Sequence, residues 1–126
     1  MTPVRRARAL AVGVLAFPPA VACGGSSAAP TDLSPAAAEG FEIVSERGCA
    51  SCHQGSAPIG PTWEGLLGSE RTFTDGSTLV ADAAYVRESI VDPGARQVEG
   101  FTISMPPNSL TDDEVSKVIA YIEESQ

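Results

Sequence analysis

The clearest hydrophobic pattern lies near the end of the chain. In "LTDDEVSKVIAYIEE", Val115, Val118, Ile119 and Ile122 recur at i, i+3, i+4 and i+7, the spacing of one face of a helix. Thr111 and Glu114 form a capping-box pattern, and Asp112 and Asp113 suit the positive end of the helix dipole. This segment predicts an amphipathic helix laid against a core. A second helix is expected from Pro35, because Ser34 is an N-cap residue followed by proline at the first helical position. Phe41, Ile43 and Val44 give it an apolar stripe that runs up to Gly48. "ADAAYVRESIVDPG" predicts a helix that stops before Pro93, and "GPTWEGLLG" a short helix capped by Thr62 and closed by Gly68. "RTFTDGSTLV" sets Asp75-Gly76 among β-leaning residues, which reads as a turn or short hairpin. "ARQVEGFTISMPPNS" has no period and is expected to be irregular.

These elements leave too few strands for a sheet, so an all-α domain over residues 36–126 is expected, about four to five short helices joined by long loops. The first residues do not belong to it. "MTPVRRARALAVGVLAFPPAVAC" opens with Arg5, Arg6 and Arg8, runs through apolar residues from Ala9 to Phe17, and ends in small residues before Cys23, the anatomy of a secretory signal. The run is too short for a transmembrane helix, which needs roughly 20 apolar residues, and Pro18-Pro19 interrupts it. "AVACGG" resembles the lipobox of bacterial lipoproteins. The resemblance implies a signal peptide over residues 1–22 and acylation of Cys23, anchoring the protein to a membrane without a spanning helix. Ala20 stands where that motif more often has Leu, which leaves cleavage nearby without lipidation as the alternative. The Gly-, Ser-, Ala- and Pro-rich stretch that follows, residues 23–35, reads as a flexible tether.

Loss of the leader would remove three of the eight basic residues and none of the sixteen acidic ones, leaving a formal net charge of −11. Such a domain is excluded from binding nucleic acid, whose phosphates need a basic face. Its acidity suits a positively charged docking partner, or one met through a small apolar patch.

With Cys23 assigned to the lipid, one cysteine pair remains in "GCASCHQG", Cys49 and Cys52, followed directly by the only histidine, His53. The stretch permits three chemistries. Structural zinc needs about four ligands, and no second CxxC or histidine supplies the fourth. A dithiol oxidoreductase would set CxxC at a helix start within a βαβ context that the chain lacks. C-x-x-C-H is also the attachment pattern of c-type haem. Two cysteines three apart lie on one side of a helical turn and can each form a thioether, while the next residue, His53, points at the iron. That reading predicts a sixth ligand. Beyond Met1 the chain has a single methionine, Met105, 52 residues after the histidine and directly before Pro106-Pro107. An isolated methionine is more often core filler, but this rigid loop presents a side chain. His/Met ligation favours a high reduction potential. It also leaves no coordination position for a substrate, so electron transfer is expected and catalysis is not.

The motifs "GFEIVSERGCASCH", "IGPTWEGLLG", "DGSTLVADAAYVRESIVDP", "EGFTISMPP" and "LTDDEVSKVIAYIEE", in that order, resemble the class I cytochrome c family over residues 36–126. They are especially similar to the cytochrome c domain fused to subunit II of some haem-copper oxidases. The resemblance implies a cytochrome c-like fold around one covalently attached heme c, with the first and last helices crossing near Gly40 and the Ile119–Ile122 stretch, Tyr121 at the contact. It implies that the Pro61 carbonyl accepts the His53 Nδ1 proton, a contact that orients the ring. Arg71 is the candidate partner of a haem propionate, against a plain surface arginine. Trp63 packs on the haem or donates to a propionate, against plain core packing; Tyr85 is expected in the core. Nothing accompanies these motifs that resembles the copper domain or membrane helices of subunit II. The expected function is therefore an exported monohaem carrier, periplasmic or on the outer face of the bacterial cell membrane. It would be a monomer that moves single electrons from a donor such as a quinol-oxidising complex to a haem-copper oxidase or another acceptor. A dedicated electron-accepting subunit of a periplasmic dehydrogenase or oxidase complex, and a haem gas sensor, are the alternatives.

Overall fold

A computed structural model describes residues 32–126. The expected signal peptide, Cys23 and most of the expected tether lie outside the described residues. Six elements follow in order: α1 (Pro35–Glu46), α2 (Ala50–His53), β1 (Glu70–Thr72), β2 (Thr78–Val80), α3 (Ala83–Val91) and α4 (Asp112–Glu124). No helix among the described residues is long and apolar enough to cross a membrane.

α4 starts as its capping box requires. Glu114 N donates to Thr111 Oγ1 at 3.3 Å and Thr111 N donates to Glu114 Oε2 at 2.7 Å, satisfying two backbone donors that the first helical turn leaves without partners. Val115, Val118, Ile119 and Ile122 are buried, and Tyr121 with them. α1 is capped by the Ser34 hydroxyl, which accepts from Ala37 N at 3.3 Å. It turns Ala37, Gly40 and Val44 inward, with Phe41 and Ile43 half-buried beside them.

These two helices meet at glycine. A Cβ on Gly40 would run into the Lys117 carbonyl and sit 2.9 Å from Tyr121 Cβ. The approach is therefore backbone on backbone, and the Phe41 ring meets Tyr121 edge-on, centroids 5.6 Å apart. Polar contacts fix the direction of crossing. Ser34, at the start of α1, donates from N and Oγ to the Glu124 carboxylate at the end of α4, both at 2.7 Å. Arg47, just past α1, pairs with Glu114 at the start of α4 at 3.1 Å. Start meets end at both places, so the helices run in opposite senses.

The Asp75-Gly76 turn joins β1 to β2, antiparallel with Arg71 opposite Leu79. Asp75 Oδ1 accepts from both N and Oγ of Ser77, and Gly76 takes a φ of +82°. The hairpin's other edge ties down the chain after α3: Phe73 bridges Val98, Thr74 N donates to Gln97 O and Glu99 N to Thr72 O, both at 2.9 Å. α3 is capped by Asp82, which accepts from Tyr85 N at 2.8 Å, and stops before Pro93.

One expected helix is absent. Residues 61–69 form a run of turns, with Leu66 N bonded to Trp63 O and Ser69 N to Leu66 O. Gly65 and Gly68 take φ of +65° and +79°, outside the right-handed helical region, so Gly65 breaks the path that Thr62 was expected to open.

Gly40→Ala separates two opposing effects. Alanine in a helix interior gains up to about 1 kcal/mol over glycine, whereas overpacking costs typically about 1–3 kcal/mol, and a backbone obstacle cannot rotate away. The variant is expected to melt several degrees lower; a midpoint equal to or above the parent would refute the close crossing. Hydrogen bonds from the Ser34 hydroxyl and backbone hold the Glu124 carboxyl below its ordinary range. Its stabilising effect is therefore complete above the unfolded carboxylate value, about 4.3, and lost as pH falls through the lower folded value. Glu124→Gln should lower the thermal midpoint at pH 7 and leave it close to the parent's in strong acid.

Candidate haem crevice

Past Glu46 the chain turns at Gly48, φ +74°. Cys49 N donates to Val44 O at 2.9 Å, and both Cys52 N and His53 N donate to Cys49 O at 3.2 Å. The C-x-x-C-H stretch is thus wound into one helical turn directly off the end of α1. Cys49, Cys52 and His53 all line a single cavity of about 350 Å³. Trp63, Leu66, Phe101, Met105 and Val118 form other parts of its wall. In a chain with sixteen acidic residues not one carboxylate lines this cavity, and among the described residues Arg47 and Arg96 are its only fully charged side chains.

The histidine is held from two sides. Its Nδ1 lies 2.7 Å from Pro61 O. A carbonyl only accepts, so Nδ1 carries the proton and Nε2 keeps the lone pair, the form a metal needs. Gly60 lets the loop approach: a Cβ there would sit 3.3 Å from His53 Cε1, and Gly60 N donates to Cys52 O at 2.9 Å. On the other side Trp63 stacks on the imidazole, centroids 5.3 Å apart and planes 13° from parallel, and meets Tyr121 edge-on at 5.9 Å. Trp63 is therefore core residue and histidine support at once. Tyr85 likewise is buried in the core, edge-on to Phe73, and reaches the cavity wall.

Burial pushes the Cys49 thiol up; a backbone hydrogen bond opposes this, the neighbouring Cys52 adds to it and Arg47 opposes it more weakly. A nucleophilic dithiol needs the reverse, a thiol lowered toward neutrality. Cys49 is shifted away from that range.

Arg71 is not among the residues lining this cavity. It sits on β1 beside a shallower cleft with Thr72, Glu99 and Gly100, and Val98 and Phe101 form a wall common to both spaces. Its Nε is buried and has no hydrogen-bond partner among the described residues. Other features escaped the sequence reading. Gln54 Nε2 donates to Tyr121 Oη at 3.0 Å, linking the loop after His53 to α4. Ile59 and Ile103, half or more exposed, stand at the cavity's margin. None of these follows a helical or strand period, so no pattern marks them.

An apolar crevice built around C-x-x-C-H, in a fold whose terminal helices cross at glycine, places the chain in the class of small helical proteins that hold haem. Residues 37–126 match the family Cytochrome c, and the chain belongs to that family. No curated protein matches the chain. Membership makes it a haem-binding electron-transfer protein with the cytochrome c fold and covalently attached haem c, and Cys49 and Cys52 have the spacing of the attachment motif. The residues fit such a group: the lining is mostly apolar, both thiols are free, and His53 is held with Nδ1 on Pro61 O.

Proposed function

We propose that this chain is an exported, lipid-anchored monohaem carrier in which Cys49 and Cys52 form the two thioethers and His53 and Met105 ligate the iron. The observation that carries this reading is the gathering of those four side chains, from two distant stretches of sequence, around one cavity. When bound, haem c supplies a one-electron iron couple. The protein's part is to hold His53 in one tautomer through Pro61 O, keep water away with apolar walls, and present Met105 from a proline-stiffened loop. With His53 and Met105 both as ligands, the iron would keep no open position for a substrate. Arg71 Nε is the proposed donor to a propionate; its support is that the donor is buried and unpartnered.

Export and acylation at Cys23 are supported by the arginine-led apolar leader and the "AVACGG" motif, and by the usual export of cytochrome c domains. The likeness to the domain fused to oxidase subunit II supports a haem-copper oxidase as acceptor and a quinol-oxidising complex as donor. Docking is proposed at the crevice margin, where Ile59 and Ile103 are 50% and 58% exposed and no carboxylate is present. Small apolar contacts of this kind suit weak, brief encounters.

Intact mass and a pyridine haemochrome spectrum of the purified protein test attachment and anchor together. One c-type haem is expected, with a diacyl or triacyl addition at Cys23. Cys49→Ser or Cys52→Ser should shift the haemochrome band to that of a single thioether. Met105→Ala should give a high-spin haem whose potential falls by a sizeable part of the ~0.8 V span that axial ligands set; an unchanged low-spin spectrum would sink the Met105 assignment.

A further inference from the structure

The segment carrying Met105, residues 101–110, contains no helix or strand, so backbone pairing alone does not hold it in place. Two side-chain amides do, one on each side of the sulfur. Upstream, Gln97 Nε2 donates to Phe101 O at 2.9 Å while its Oε1 accepts from Ser104 Oγ at 3.1 Å. Downstream, Asn108 Nδ2 donates to Ile90 O at 2.7 Å while its Oδ1 accepts from Leu110 N at 3.2 Å. Each amide uses both its donor and its acceptor end. Each is also anchored on something firm. The Gln97 backbone is pinned to the hairpin through Thr74 N, and Ile90 is a buried residue in the last turn of α3, where carbonyls lack intrahelical partners.

The chemistry of the anchors matters. A carboxylate has no donor for Phe101 O or Ile90 O, and an ammonium has no acceptor for Ser104 or Leu110. Both amides also lie on the wall of the crevice, which no carboxylate lines. We infer that Gln97 and Asn108 are positioning residues for the sixth iron ligand, a role that rests on Met105 being that ligand. They limit the opening of the loop, and so set how readily an outside ligand displaces Met105. They act not as ligands but through the backbone on either side of Met105.

Competition for the iron in the full-length ferric holoprotein tests this. Imidazole is titrated against the parent, Gln97→Ala, Asn108→Ala and the double variant. Binding is followed by loss of the thioether-to-iron charge-transfer band, with thermal midpoints measured alongside. All four proteins should show the same low-spin spectrum before imidazole is added. Losing the net effect of one or two hydrogen bonds should tighten apparent imidazole binding by about two- to tenfold in each single variant. The double variant should come close to the product, because the two anchors share no partner. Should an alanine variant fail to take up haem, the near-isosteric replacements carry the test. Gln97→Glu keeps the acceptor for Ser104 but sets a carboxylate oxygen against Phe101 O, and should tighten imidazole binding. Asn108→Asp sets two acceptors against each other and should tighten imidazole binding. Lowered thermal midpoints with unchanged imidazole affinity would make the amides structural only and overturn the inference. Met105→Ala separates the two assignments. If it abolishes the band while the amide variants behave as the parent, the positioning role alone is wrong. If it leaves the band intact, the ligand assignment fails and the role of the amides with it.

Discussion

The backbone contact between α1 and α4 at Gly40 is the constraint on which the rest depends. Two helices that touch through a missing side chain are fixed in separation and in angle, because any slide along either axis brings a Cβ against a carbonyl. The apolar faces then close around that point. Ala37 and Val44 from one helix, and Val115, Tyr121 and Ile122 from the other, are almost wholly removed from water. At about 1.5–3 kcal/mol for each large buried side chain, this burial outweighs the exposed ion pairs around it, typically about 0.2–1 kcal/mol each. Ser34 with Glu124 and Arg47 with Glu114 give direction to a contact whose strength comes from elsewhere.

The crevice follows from that crossing. α1 ends three residues before Cys49, so whatever fixes α1 fixes the attachment turn. α4 supplies Val118 and Ile122 to the cavity wall and, through Tyr121, the partner of Gln54 and the edge-on neighbour of Trp63. His53 is thereby supported by a ring braced on the same helix that α1 packs against. The segment with Met105 is remote from this pair in sequence and reaches the cavity by another route, through α3, the hairpin and the two amide side chains. In the proposed ligation, the axial ligands therefore belong to two separately anchored parts. The histidine side is held by packing and the methionine side by a few hydrogen bonds, which makes the methionine side the easier to open.

Charge is distributed to the same end. The described domain is strongly acidic, yet no carboxylate lines the crevice. Negative charge near a haem iron favours its oxidised, more positive state; removing it to the outer faces favours reduction, in the same direction as a thioether ligand. The outer carboxylates keep the domain soluble and leave the crevice margin to apolar contact. The proposed carrier role needs this combination of a water-free centre, ligands that move little and a surface that releases its partner.

Much of the fold was legible in the sequence, for identifiable reasons. α4 was marked by a helical period and a capping box, α1 by Ser34-Pro35, the end of α3 by Pro93 and the hairpin turn by Asp75-Gly76; each is a local signal that needs no knowledge of the partner surface. The 61–69 segment was misread as a helix because Thr62 and Gly68 look like a start and a stop, while the left-handed conformation of Gly65 is invisible in a string of letters. C-x-x-C-H was legible because its chemistry is fixed by residues three and four apart, within one turn. Gln97, Asn108 and Gln54 were not, since a polar residue in an aperiodic loop looks the same whether it faces water or ties two segments together. By itself the sequence determined the helices, the attachment turn and the residues able to meet a haem. Tertiary structure alone decided that Met105 shares a cavity with His53, that Arg71 lies behind its wall, and which amides restrain the loop. Those relations join residues tens of positions apart, and their geometry exists only once the helices have crossed.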